Sequence, residues 1–260
     1  MKLEAIVSAL CGALFPLRLG PGFVRPHNEE TFVAETLETA LSSLYGEIRL
    51  ELGYARPEGG APAIEQDAAR IIGGFAFALP GLRRMLDRDV EAAYAGDPAA
   101  RSVDEVLLCY PGVRAIIHHR LAHRLYELGA PVVARIIAEI AHTETGIDIH
   151  PGARIGHSFF IDHGSGVVIG ETAIIGHQVR LYQAVTLGAR HFPTDDDGHL
   201  IKGDAQHPIV EDDVVIYAGA TILGRITIGR GATIGGNVWV TQDVPPNSIV
   251  TQATARNKQG

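Results

Sequence analysis

Asp148 and His163 stand fifteen residues apart and together have the makings of a general base. A carboxylate bonded to one imidazole nitrogen fixes the tautomer that leaves the other nitrogen free to accept a proton. Asp162 directly precedes the histidine, points differently and could receive a substrate ammonium. A plainer role is that His163 only caps a turn, in a stretch that also holds His142, His150, His157 and His177. The chemical reading needs a backbone that returns to the same place about every fifteen to twenty residues.

Residues 148–244 supply such a backbone. Branched aliphatics recur at every sixth position as Ile149, Ile155 and Ile161, slip by two residues at Gly166-Val167, and resume as Ile169, Ile175, Leu181 and Leu187. A second block runs without a slip through Val210, Ile216, Ile222, Ile228, Ile234 and Val240. Four positions after such aliphatics come smaller inward candidates: Ala153, Ser165, Ala173, Ala220 and Ala232. A sixfold pulse matches neither the helical period of 3.6 nor the strand period of two. It is the signature of a parallel β-helix, in which three hexads close one triangular coil and stacked coils bury the aliphatics together. A sandwich with evenly spaced strands would have to place thirteen aliphatics in phase by accident. The β-helix sets Asp148 and His163 within hydrogen-bond reach on adjacent coils.

The preceding residues change pattern. Helical spacing runs from Glu29 to about Tyr54, from about Ile64 to Leu79 and from Leu82 to about Tyr94, with Pro80 and the Gly59-Gly60-Ala61-Pro62 run as breaks. Ser102-Val103-Asp104-Glu105 reads as a helix start, with a side-chain oxygen for the free amides and acids in the first turn. Further helices are expected from about Val113 to Leu128 and from Val132 to about His142, parted by Gly129 and Pro131. The expected fold class is therefore α+β: a helical part over 1–146, a β-helix over 147–250 and a short tail over 251–260. The β-helix carries an inserted loop at 189–208, which includes Arg190-His191-Phe192-Pro193 and an Asp195-Asp196-Asp197-Gly198 tip. A loop of this length thrown out of a regular coil points to function. Its acidic tip lacks the spacing and terminal Glu of a twelve-residue calcium loop, so a solvated turn is expected there.

Composition narrows the functional classes. A net charge of −8 argues against a nucleic-acid surface, although Arg190, Lys202, Arg225 and Arg230 near the repeat could meet a phosphate-bearing group. Cys11 and Cys109 are the only cysteines and lie far apart, which fits a reducing, cytoplasmic setting. The apolar run Ile6–Phe15 is too short to span a bilayer, and Glu4 argues against a signal peptide. It is expected to pack on the following helices, with no membrane partner.

Asp148-Ile149-His150-Pro151, Ile161-Asp162-His163-Gly164, Gly166-Val167-Val168-Ile169-Gly170-Glu171-Thr172 and Val185-Thr186-Leu187-Gly188 closely resemble the serine acetyltransferase family. The likeness covers about residues 97–246 and includes Asp97-Pro98-Ala99. It implies a left-handed coil and acetyl transfer from acetyl-CoA, as co-substrate, to the hydroxyl of L-serine. By resemblance His163 is the base and Asp148 its partner. Asp97 and Asp162 meet the amino group of serine with Glu171 close by, and His207 meets its carboxylate. Acetyl-CoA lies in a groove against Gly188, Ala189, Ala218 and Gly219, and no metal is expected. The family assembles as homotrimers or dimers of trimers with sites between subunits.

Three features depart from the family pattern. Gln206 stands where the family has arginine before His207-Pro208, exchanging a charged fork for a neutral amide. Either Arg190 replaces that charge or the acceptor is another small hydroxyl or amine compound. The 189–208 loop is longer than in the shortest members. The chain ends at Gly260 without an isoleucine-ended tail, which leaves docking to O-acetylserine sulfhydrylase without its usual determinant. Two other readings stay open on the residues: a zinc enzyme like the γ-type carbonic anhydrases, drawing on the histidines above, and a non-catalytic scaffold.

Overall fold

The structure is a computed structural model and describes residues 2–57, 60–191, 195, 197, 199–200 and 203–252. Phe192, Pro193, Asp196, Gly198 and Lys202 of the inserted loop lie outside the described residues, as does the tail from 253 onwards.

Among the described residues seven helices come first: α1 (Lys2–Leu14), α2 (Pro16–Leu19), α3 (Glu29–Ala55), α4 (Ala61–Gly96), α5 (Val103–Cys109), α6 (Pro111–Leu128) and α7 (Pro131–Thr145). The apolar N-terminal run forms α1, which buries Leu3, Ile6, Val7 and Leu10 and packs on α3. Ser102 caps α5 as its sequence suggests, its hydroxyl accepting from the Glu105 amide at 3.0 Å. Pro80 does not break the chain into two helices. It sits inside α4, where Ala68, Ile71, Phe75, Leu79, Leu86, Val90 and Ala93 are buried along the whole length. The apolar stripe continues in phase across the proline, so burial outweighs the missing backbone bond.

Fourteen short strands of the described residues follow and share three parallel sheets. The first sheet stacks β1 (Asp148–Ile149), β4 (Val168–Ile169), β7 (Thr186–Gly188), β10 (Thr221–Leu223) and β13 (Trp239–Val240). The second stacks β2 (Arg154–Ile155), β5 (Ile174–Ile175), β8 (Ile209–Val210) and β11 (Thr227–Ile228). The third stacks β3 (Phe160–Ile161), β6 (Arg180–Leu181), β9 (Val215–Ile216), β12 (Thr233–Ile234) and β14 (Ile249–Val250). Each coil visits the three sheets in turn, which is the parallel β-helix expected from the hexads, with the left hand that the family resemblance implies. All thirteen phased aliphatics are buried, and Ala153, Ala173, Ala220 and Ala232 join them.

Ser165 is the exception among the small inward candidates and is exposed; Val167 takes that inward place. The cause is a longer corner. Between β3 and β4 the turn spans 162–167, whereas between β6 and β7 it spans only 182–185. Register agrees, since Asp148 pairs with Val168, twenty residues on, but Val168 pairs with Thr186, only eighteen on. The extra pair includes His163 and Gly164, both left-handed at φ of 60° and 88°. The irregular corner therefore pushes His163 outwards, at a backbone conformation a non-glycine residue rarely adopts.

One apolar cluster runs through both parts of the chain. Its polar fastener is a buried ion pair between Asp89 of α4 and Arg120 of α6, 3.0 Å apart. Arg120 also donates to the carbonyls of Ile155 and Gly156, and Asp89 accepts from the Phe159 amide at 2.9 Å. Burial pushes the Asp89 carboxyl up against the opposing pull of Arg120. At the N-terminus of α6, Gly112 lies against the backbone of β3. A Cβ there would come within 2.2 Å of the Ile161 carbonyl oxygen, so only glycine permits this approach.

Candidate active site

His163 occupies the corner between the third and first sheets on the first coil, and its side chain is 70% exposed. Asp162 beside it is buried and holds its Oδ1 3.6 Å from His163 Nδ1. Asp97, at the C-terminal end of α4, comes to the same corner. Its Oδ1 accepts from the Ala99 amide at 2.8 Å and its Oδ2 from the Tyr110 hydroxyl. The Tyr110 bond, then the Ala99 amide, hold the Asp97 carboxyl below the usual carboxylate range, with smaller help from Arg180 and His163. The same bond pushes the Tyr110 hydroxyl up to about 12. The corner thus gathers two carboxyl groups beside an accessible imidazole.

Asp148 is placed differently from expectation. It belongs to the same coil as His163, not the adjacent one, and no hydrogen bond joins the two among the described residues. Its carboxylate instead lies with Glu139 and His142 of α7, their ligand atoms within 4.8 Å of one another. A separation of fifteen residues falls short of the twenty-residue first coil, so the two sit at one corner without facing in line. Of the other histidines, His157 and His177 stack at 3.9 Å, and His150 meets Tyr126 edge-on at 5.8 Å.

A second group forms at the next corner, between the first and second sheets. His207 Nδ1 accepts from the Thr172 amide at 3.1 Å and lies 2.8 Å from the Thr172 hydroxyl. With Nδ1 used as an acceptor, the neutral ring carries its proton on Nε2, which is free to donate to a carboxylate. Burial lowers the His207 pKa and so favours that neutral form. The Gln206 and His207 amides both donate to the Thr172 hydroxyl, at 2.9 and 3.1 Å, and Glu171 accepts from the Tyr126 hydroxyl at 2.7 Å. Gln206 and Arg190 line one cleft of about 420 Å³ together with Leu223, Arg225 and Thr241. Among the described residues Arg190 reaches the Thr241 carbonyl, at 3.4 Å. Arg225 is held by the carbonyls of Thr172 and His207, and Arg230 by Asp212 at 2.6 Å, whereas Lys202 is outside the described residues.

The candidate residues therefore divide between two edges of the prism, each running over several coils. Asp97, Asp162 and His163 share the first corner with Ala218 and Gly219, while Glu171, Gln206 and His207 share the second with Gly188, Ala189 and Arg190.

Comparison with known proteins places this arrangement. The family model "Bacterial transferase hexapeptide (six repeats)" matches residues 207–242. A serine acetyltransferase of Synechococcus elongatus is 56% identical over 98% of this chain and 82% of its own length. The chain belongs to the serine acetyltransferase family. The crystal structure of Entamoeba histolytica serine acetyltransferase 1 in complex with L-cysteine matches with a TM-score of 0.82 and 40% identity, over 94% of this chain and 85% of that one. The Neisseria gonorrhoeae serine acetyltransferase in complex with serine matches with a TM-score of 0.61 and 30% identity, over 96% and 95% of the two chains. Within this serine acetyltransferase fold, sequence reading missed Tyr110, Thr172, Tyr126 and Arg180. Tyr110 carried a faint signal, standing just before the Pro111-Gly112 helix start; Tyr126 lies on α6, and Thr172 and Arg180 lie at outward positions of the coil that no hexad marks.

Proposed function

We propose that this chain transfers the acetyl group of acetyl-CoA to the hydroxyl of L-serine, giving O-acetylserine for cysteine synthesis. The observation that carries the reading is the corner of Asp97, Asp162 and His163 in a chain 56% identical to a serine acetyltransferase over nearly its whole length. Asp97 and Asp162 receive the ammonium of serine. The His207 Nε2 proton faces the carboxylate. His163 takes the hydroxyl proton as the serine oxygen attacks the thioester carbonyl. The tetrahedral oxyanion is met by backbone amides of the coil. It then collapses, the carbon–sulfur bond breaks, and the imidazolium returns its proton to the departing thiolate. Asp148 supports the imidazolium through its charge.

The two corners of one chain face different sides of the prism, so a complete site draws them from neighbouring copies in a homotrimer. Acetyl-CoA lies along that seam, against Gly188 and Ala189 of one copy and Ala218 and Gly219 of the next. No helix of the described residues is long and apolar enough to cross a membrane, and the two isolated cysteines fit a cytoplasmic enzyme.

Gln206 tests the acceptor. The contact with a serine carboxylate is made equally in ground and transition states, so its loss acts on the Michaelis constant. A charge-assisted bond is worth about 1.5–3 kcal/mol, and Gln206→Arg is expected to improve serine use by roughly tenfold to a hundredfold if no cation already serves. Arg190 shares the cleft, and Arg190→Ala is measured beside it. A collapse of serine affinity in Arg190→Ala, with Gln206→Arg silent, assigns the carboxylate to Arg190. Serine kinetics indifferent to both, with another acceptor used well, would remove serine as the substrate.

A further inference from the structure

Arg180 stands at the outward position of β6, in register with Phe160 of β3, and touches two parts of the first corner at once. Its Nη2 donates to Asp162 Oδ2 at 2.6 Å, and its Nη1 donates to the Gly96 carbonyl at 2.7 Å. The guanidinium lies 5.0 Å from the Phe160 ring centre and 4.7 Å from that of Tyr182, whose ring stacks in turn on Tyr217 at 4.9 Å. A planar cation held by two aromatic rings keeps its donors in fixed directions. Its Nε is buried without a hydrogen-bond partner among the described residues. The orientation is thus set by the two carboxyl-side contacts and not by full satisfaction of the arginine.

Both contacts bear on candidate acceptor ligands. Asp162 gives Oδ2 to Arg180, which leaves Oδ1 as the oxygen turned to His163. Gly96 is the last residue of α4, where carbonyls lack a helical partner and a cation is favourable. The helix end is seated directly on this stack, for a Cβ at Gly96 would come 2.9 Å from Phe160 Cδ1 and 3.7 Å from Arg180 Nη1. Asp97 follows immediately. A purely structural clamp between α4 and the first coil would duplicate the Asp89 and Arg120 pair, which already ties α4 and α6 to Ile155, Gly156 and Phe159.

We propose that Arg180 is a positioning residue for acceptor binding: one guanidinium fixes Asp162 and the helix end that carries Asp97, so both carboxylates flank His163 before the acceptor arrives. The inference rests on the serine reading above and deepens it. Loss of Arg180 lets Asp162 and the end of α4 drift, which weakens capture of the ammonium without touching the thioester.

The test is steady-state kinetics of wild type, Arg180→Met, Arg180→Lys and Gly96→Ala, varying serine and acetyl-CoA separately, with thermal melts of each. Arg180→Met is expected to raise the serine KM by about tenfold or more and to leave the acetyl-CoA KM within about threefold. Arg180→Lys keeps the charge and one donor and falls between wild type and Met, while Gly96→Ala reproduces the serine effect without any change of charge. A serine KM within about twofold of wild type in Arg180→Met overturns the proposal, as does a loss that moves both KM values together with a lowered Tm. A wild type that does not turn over serine overturns the serine reading and this inference together. Activity of the wild type on serine with an indifferent Arg180→Met overturns this inference alone.

Discussion

His163→Asn is expected to lower acetyl transfer by about 10²–10⁴-fold while leaving the fold and its melting temperature in place. The ring is mostly exposed, with Asp162 as its ionic neighbour at 3.6 Å, so removing it opens no cavity. Asparagine is chosen beside alanine because the backbone at this position is left-handed, a conformation asparagine tolerates better. Without an imidazole the serine hydroxyl must lose its proton to water, and attack on the thioester slows accordingly. Asp148→Asn is expected to cost less, because no bond to the ring is broken and only a nearby charge is lost. Single-turnover and steady-state rates check both, and a His163→Asn enzyme retaining most of its turnover would remove this residue as the base.

Asp89→Ala is expected to destabilise the chain by about 3–5 kcal/mol, a fall in Tm of about 6–20 °C. The cost comes from what remains. Arg120 is only 4% exposed, and loss of its carboxylate would leave a desolvated cation bonded to two carbonyls alone. Arg120→Ala leaves the Asp89 carboxylate uncompensated in the same place. The paired change Asp89→Leu with Arg120→Met removes both charges and is expected to recover much of the loss, since a well-packed apolar pair often matches a buried ion pair. Thermal melts of the three variants check this, and equal Tm values for Asp89→Ala and wild type would contradict it.

The β-helix was legible because each coil spends its inward positions on aliphatics, and burial leaves the sequence little choice there. The same logic shows why the slip was placed two or three residues late. Val167 points inward like the other residues two before a buried aliphatic, whereas the inserted residues lie earlier, at the exposed His163 and at Gly164, which is buried against Ile147 but carries no side chain to mark it. An interruption in the hexad pattern marks a lengthened corner, and that corner carries the exposed imidazole. Pro80 misled because a proline reports local backbone cost, while α4 is held by a stripe of contacts far longer than one turn. The division of candidate residues between two corners was hidden for another reason. Sequence order lists Asp162, Glu171 and His207 in a line, but the prism turns between them, and only the strand order shows which sheet each one follows. Arg180 and Tyr110 act through side chains on outward strand and cap positions, whose identity the repeat does not constrain.

The most direct test of the account is thiol release from acetyl-CoA by the purified protein, with the product identified by mass, across serine, homoserine, phosphoserine and simple amines. The account predicts coenzyme A release that depends on serine, one O-acetylserine formed per thiol, and none of it with His163→Asn. Release that proceeds with another acceptor and not with serine, or serine acetylation undiminished in His163→Asn, would contradict it.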